Sequence, residues 1–416
     1  MQRQGSSQAG FIAGAGLALA SLLAGCEARP AAGSASTTSA ASASAAQAVP
    51  DRAAAARALA LARNEGSAPV DQEIRALQQS VGRMPQKTDF WIVLGQKWVR
   101  KARETTDPGY YLNARACAEI ALDLEPGYRL ALDLQSLVLL NDHKFAEAAD
   151  LAREVLRTYP DDVLALGTLS DASLEMGRFG EAALAAQLMN DLKPSLPAYA
   201  RASYLRWLKG DVANAKLIIR KAMDAKDPKD PEPYAWVLTQ AALIFWHEGD
   251  YAGAEAGFDQ ALAAVTDYPP ALVGKARCAI GLGDAARAVA LLTKAHAQSP
   301  LVETAWLLGD AREAAGDAKG AEEAFALVVK HGRQIDPRTL ALFYATKDRD
   351  LDDALRLIEA EKKARDDLYT EDALAWILYR KGRFAEARAA SESALSLGTK
   401  DARLLYHAGA IKLGSG

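Results

Sequence analysis

The chain has 416 residues, a formal net charge of -4, and a composition that is 50% hydrophobic but only 7% aromatic. That length and apolar content can bury a large core, and scarce aromatics with abundant alanine favour closely packed helices over sheets. Nearly balanced charge supplies no general basic face, which argues against nucleic acid as a partner.

Residues 1–25 read as a targeting segment. Arg3 and the amino terminus carry positive charge, and the apolar run from Phe11 to Gly25 is too short for a typical membrane span. It ends in Leu23-Ala24-Gly25-Cys26, which resembles the lipobox of bacterial lipoproteins. The resemblance implies cleavage before Cys26 and acylation of that cysteine. Several acyl chains, each adding ~0.8 kcal/mol per buried methylene, make a stable anchor. Glu27 follows where an aspartate would favour inner-membrane retention, so the resemblance implies an outer-membrane lipoprotein facing the periplasm. An ordinary secretory signal with a chance cysteine is the alternative. Cys117 and Cys278 fall in different repeat units and read as buried small apolar residues rather than a bridge.

From Cys26 to residue 68 the chain reads as a lipidated tether. Residues 27–50 are almost all Ala, Ser, Thr, Gly and Pro, too poor in apolar surface to fold, and 51–64 form an alanine-rich stretch that can be helical. Val70, Ile74, Leu77 and Val81 recur at helical spacing and predict a capping helix over 69–87, which Gly82 and Pro85 end.

A ladder of alanines then sets the phase: Ala114, Ala148, Ala182, Ala215, Ala254, Ala288, Ala321, Ala354 and Ala387. Beyond the first rung, six have a glycine five residues earlier, at Gly177, Gly210, Gly249, Gly283, Gly316 and Gly382, and His143 and Arg349 hold the equivalent place before the other two. Glycine ends a helix in the left-handed conformation at no steric cost, and alanine removes bulk where a second helix crosses the first. Pro126, Pro160, Pro194 and Pro300 then close units. A fixed period near 34 residues means stacked units. The pattern resembles the tetratricopeptide repeat, best in Asp372-Ala373-Leu374-Ala375-Trp376 through Gly382-Arg383-Phe384-Ala385-Glu386-Ala387. The resemblance implies an all-α, right-handed superhelical solenoid of about eight to nine helix-turn-helix units over 88–401, with a concave groove for peptides or proteins. Two surpluses interrupt the phase. One is placed in an enlarged turn around Glu104 to Gly109, the other in Lys226 to Pro233. Leu404, Ala408 and Ile411 repeat the first-helix stripe, so 402–416 reads as a half repeat or cap.

Motifs for chemistry are missing. There is no Gly-x-Ser-x-Gly, His-Glu-x-x-His, phosphate loop or Cys-x-x-Cys, and the five histidines lie in different units without ligand spacing. No catalytic residue, metal or cofactor is expected, and the chain reads as not an enzyme. Asp348, Asp350, Asp352 and Glu359 have the spacing of a calcium loop, but Asp353 stands where its turn needs glycine, so a helix start is preferred.

The tryptophans form a second stripe. Counted back from each rung, the apolar core of the first helix lies at 16, 13, 12 and 9, as in Leu238, Ala241, Ala242 and Phe245. Trp236, Trp306, Trp376, Trp207 and Trp246 sit instead at 18, 15, 11, 8 and 8, joined by Tyr204, Phe343 and Tyr379. At 100° per residue this stripe is centred about 130° from the core stripe. By the resemblance it lines the groove, and these eight aromatics become candidate anchors for a partner. The alternative is that they fill the core between successive first helices. The leading reading is a membrane-anchored envelope scaffold for protein or peptide partners. A module for a non-protein ligand such as cell-wall glycan is the second, favoured by a groove of aromatics with few charges.

Overall fold

The computed structural model describes residues 43–414, with side chains from Arg52 onward. Cys26, the targeting segment and most of the tether lie outside the described residues. Among the described residues there are 21 α-helices and no strand, and none of the helices is long and apolar enough to cross a membrane. They form two compact units with their boundary between Lys193 and Pro194.

In the first unit, α1 (Ala43–Ala60) and α2 (Pro69–Arg83) precede three helix pairs: α3 (Thr88–Thr105) with α4 (Tyr110–Leu124), α5 (Arg129–Asn141) with α6 (Phe145–Thr158), and α7 (Val163–Glu175) with α8 (Phe179–Leu192). The helix α1 begins inside the stretch expected to be structureless, because alanine is the best helix former. Where a capping helix is expected over 69–87, α2 covers Pro69–Arg83, and Val70, Ile74 and Val81 are buried against the first pair.

The second unit holds six further pairs and a single last helix. The pairs are α9 (Leu196–Leu208) with α10 (Val212–Asp224), α11 (Pro231–His247) with α12 (Tyr251–Ala264), α13 (Pro269–Gly281) with α14 (Ala285–Gln298), α15 (Val302–Ala314) with α16 (Ala318–Ile335), α17 (Pro337–Thr346) with α18 (Leu351–Glu361), and α19 (Leu368–Arg380) with α20 (Phe384–Ala394). The last helix, α21 (Ala402–Gly414), packs on α19 and α20.

All nine ladder alanines lie on second helices and are buried. The six glycines before the rungs have φ between 71° and 84°. His143 adopts the same left-handed conformation at φ 58°, whereas before Ala354 it falls to Asp348, not Arg349. Four second helices of the second unit also share a cap that the ladder does not reveal. The residue after the turn glycine is Asp211, Asp250, Asp284 or Asp317, and its carboxylate accepts a backbone N–H of the first turn. Such a cap contributes about 1 kcal/mol.

Both expected surpluses went mainly into helix rather than turn. The first lengthens α3 to 18 residues, and only Thr106 to Gly109 remain as connection. The second lengthens α11 to 17 residues, because Pro231 and Pro233 fall in the first helical turn, where a missing N–H costs nothing. Asp350 caps α18 by accepting from the Asp353 N–H, and Asp348 and Asp352 pair with Arg380 and Lys381. The aspartate run therefore starts a helix and tethers the next pair. Cys117 and Cys278 are free and buried, and burial pushes both thiols up, Cys278 to about 12.

Candidate functional site

The second unit closes on itself through the segment that leads into α21. Gly210 and Gly398 both have positive φ, and a Cβ on Gly210 would stand 2.2 Å from the Gly398 carbonyl oxygen. The Ala402 N–H donates to His247 Nδ1 at 3.1 Å, and the Tyr204 and Tyr369 hydroxyls lie 3.4 Å apart. The Asp401 carboxylate is fully buried, caps α21 through the Arg403 N–H at 2.9 Å, and leaves Oδ2 3.8 Å from His247 Nε2. The end of the last pair thus packs against the C-terminal ends of α9 and α11.

The eight candidate aromatics divide by burial. Trp207, Trp306, Phe343 and Trp376 are buried, and Tyr204, Trp236, Trp246 and Tyr379 are half-buried. Trp207 lies 5.0 Å from the His247 ring. Trp306 meets the Phe343 ring edge-on at 5.6 Å, and Trp376 stacks on His407 at 4.2 Å. These four rings fill space between first helices or beneath α21, so they present no open surface. Phe245 also departs from expectation. It is half-buried rather than core, with Lys216 Nζ 4.1 Å from its ring centroid.

A cavity of about 130 Å³ remains beside the closure, lined by residues that include Trp246, His247, Arg277, Ile280, Leu307, Asp310 and Ala402. Its members follow the tryptophan phase. Trp246 and Ile280 stand eight residues before their rungs, and Arg277 and Asp310 stand eleven before theirs, the place of Trp376 in its own unit. Counting charged residues on the offsets used for aromatics would have found Arg277 and Asp310. His247 follows Trp246 directly, and no second histidine lies at ligand spacing to mark it.

The electrostatics of this lining are mixed. Arg277 Nη2 bonds Glu303 at 2.8 Å, and Lys347 Nζ stands 2.8 Å from Asp310 Oδ1. Burial pushes the Asp310 carboxyl up to about 6 even though Lys347 pulls it back. Burial likewise lowers His247 below the ordinary histidine value, against the attraction of Asp401. Because Nδ1 accepts from the Ala402 N–H, the neutral ring carries its proton on Nε2. Trp246 Nε1, His247 Nε2 and Arg277 Nε are buried donors without a hydrogen-bond partner. Such a lining can hold a polar group by hydrogen bonds and an apolar group against Ile280 and Leu307. Among the described residues no cluster of His, Cys, Asp and Glu is arranged to hold a metal ion.

Known proteins agree with this architecture. Residues 245–292 match the tetratricopeptide repeat family. Cellulose synthase 2 operon protein C of Komagataeibacter xylinus is 31% identical over 203 residues, which is 47% of this chain and 15% of that protein. The chain therefore spans only a small part of that relative's length. Among solved structures, the APC/C hetero-tetramer Cut9-Hcn1 aligns at a TM-score of 0.51 with 13% identity, covering 86% of this chain and 62% of the other. The human IFIT1 dimer with m7Gppp-AAAA aligns at 0.50 with 13% identity, covering 79% and 86%. At such identities the likeness is one of fold.

Proposed function

Starting from the premise that this chain is a tetratricopeptide-repeat protein, we propose that it is a non-catalytic scaffold of the bacterial cell envelope, anchored by an acylated Cys26 and holding a protein or peptide partner. Repeats of this kind serve protein interaction, and the stacked pairs here offer faces for it. The observation that carries the reading is the cavity at Trp246, where an aromatic ring sits with Arg277, Asp310 and His247. Charges of both signs beside an aromatic suit a peptide, whose backbone and side chains present donors and acceptors together. A sugar-stacking face would be aromatic with few charges, so the glycan reading loses ground.

Tyr204, Trp236, Trp246 and Tyr379 keep exposed surface and remain the anchors of this proposal. Trp207 and Trp376 could join them only if the closure and α21 moved away, and Trp306 and Phe343 belong to the core between first helices. The operon named for the K. xylinus relative, one for cellulose synthase, is compatible with work at the cell envelope. Fractionation of cells carrying Cys26→Ser tests the anchor. The variant should leave the membrane fraction, and unchanged membrane association would refute acylation. Crosslinking of Trp246→Ala in the native envelope tests the face. Loss of a specific adduct seen with the wild type is expected, and an unaltered adduct would exclude this face.

A further inference from the structure

The cavity beside Trp246 contains donors for which the fold has no use. Trp246 Nε1 and Arg277 Nε are buried in its lining without partners, and Arg277 as a whole is 6% exposed. Neither an indole nor a guanidinium can accept a hydrogen bond, so an occupant that satisfies them must bring acceptors. His247 adds a third donor. Its Nδ1 is taken by the Ala402 N–H, and the proton on Nε2 finds only Asp401 Oδ2, at 3.8 Å. Ile280 and Leu307 supply apolar wall of the same cavity. A volume of about 130 Å³ equals roughly four water volumes in the liquid, enough for a carboxylate and one or two methylenes.

We propose that this cavity is a carboxylate site, in which Trp246 Nε1, Arg277 Nε and His247 Nε2 donate to the two oxygens while Ile280 and Leu307 cover a short aliphatic stem. The carboxylate comes from a small free acid or from an acidic residue or chain terminus of a partner. Lys347 stands 2.8 Å from the Asp310 carboxylate and offsets its charge, and Glu303 accepts from Arg277 Nη2 while Nε itself has no partner. Ala402 forms one wall, so the ligand and the segment entering α21 share the site. The inference rests on reading this inner face as a binding face, but binding of a small acid and crosslinking of a partner are separate readouts, and either can fail alone.

The test is a titration of the full chain with sodium propionate at ionic strength fixed with sodium chloride, following the indole N–H resonances. There are seven tryptophans, and Trp246→Phe identifies the resonance in question. That resonance alone should move downfield and saturate in the millimolar range, and n-propylammonium should not move it. Arg277→Lys should weaken propionate roughly tenfold by this resonance, and Trp246→Phe should do the same when binding is followed by calorimetry, as loss of a hydrogen bond to a charged acceptor does. The lysine variant keeps the charge facing Glu303, which separates lost binding from lost folding. A blocked glutamate peptide that binds roughly tenfold more tightly than propionate would assign the carboxylate to a partner's side chain, and weaker binding would assign it to a free acid. Absence of a saturable shift at Trp246, or an equal shift with propylammonium, would overturn the proposal and leave water as the occupant.

Discussion

Each unit buries a small group of polar side chains around a tryptophan, and the two groups are finished differently. In the first unit Lys101 Nζ bonds Asp71 Oδ1 at 2.7 Å and also reaches Asn64, and all three side chains are nearly inaccessible. Asp71 Oδ2 accepts the Ala68 N–H at 2.9 Å, and the neighbouring Trp98 donates its indole N–H to the Ala60 carbonyl at 3.1 Å. In the second unit Trp246, His247 and Arg277 each hold a buried donor without a partner. A satisfied network of this kind pins α1 and α2 to α3, whereas an unsatisfied one costs stability and has a use only if something else completes it. The contrast separates polar groups that hold the fold together from polar groups kept ready for a ligand.

The largest effect expected is on the finished network. Lys101→Met leaves the Asp71 carboxylate buried without its counter-charge and should cost about 3–5 kcal/mol in urea denaturation. Burial alone would raise the Asp71 carboxyl, but hydrogen bonds from Lys101 and Asn64 hold it below the usual carboxylate range. Its contribution is therefore complete above the usual carboxylate value and is lost as pH falls through the depressed one. The wild type should lose part of its stability on that acid limb, and Lys101→Met should lose less there, since the pair is already gone. A variant that unfolds like the wild type at all pH values would mean that the network is ornamental.

The closure is the next strongest point. Gly210→Ala places a Cβ against the Gly398 carbonyl and forces a positive φ on alanine, so it should cost roughly 1–2 kcal/mol. Hydrogen exchange should show the loss around residues 398–403. Exchange spread evenly over the unit would instead mean that the closure is not a separate cooperative element.

A smaller effect follows from His247. Its pKa is lowered in the folded state by burial, so between the ordinary histidine value and the lowered one the unfolded chain binds the extra proton. Stability is full above the ordinary value and declines as pH falls toward the lowered one. Protonation at Nδ1 also removes the acceptor of the Ala402 N–H. Exchange of the Ala402 amide, corrected for its intrinsic pH dependence, should accelerate as pH falls below about 6.5. In His247→Gln the corrected rate should be flat with pH.

The ladder made the nine pairs legible because every helix crossing needs a small residue, and alanine at one phase is hard to mimic by chance. The same count could not tell turn from helix in the surplus segments. Residues 99–105 continue α3, and Pro231 and Pro233 are compatible with the first turn of α11. The closure left no trace in the periodicity. It depends on pairs such as His247 with Ala402 and Tyr204 with Tyr369, which lie 155 and 165 residues apart. For that reason the aromatic stripe was legible as a stripe but the covering of Trp207 was not, whereas the burial of Trp306 and Phe343 is the core filling that periodicity left as the alternative. Arg277 and Asp310 were legible by phase, and it took the fold to place them in one cavity with Trp246.

The most direct test of the contrast is the stability of Trp246→Phe, measured by urea denaturation beside Lys101→Met. The substitution keeps a ring and removes only the unpartnered N–H with part of the indole. The small loss of packing should be offset by removing an unsatisfied buried donor, so the variant should stay within about 0.5–1 kcal/mol of the wild type. A loss comparable to that of Lys101→Met would show that the Trp246 N–H is used within the fold, and would contradict the claim that this cavity is kept for a ligand.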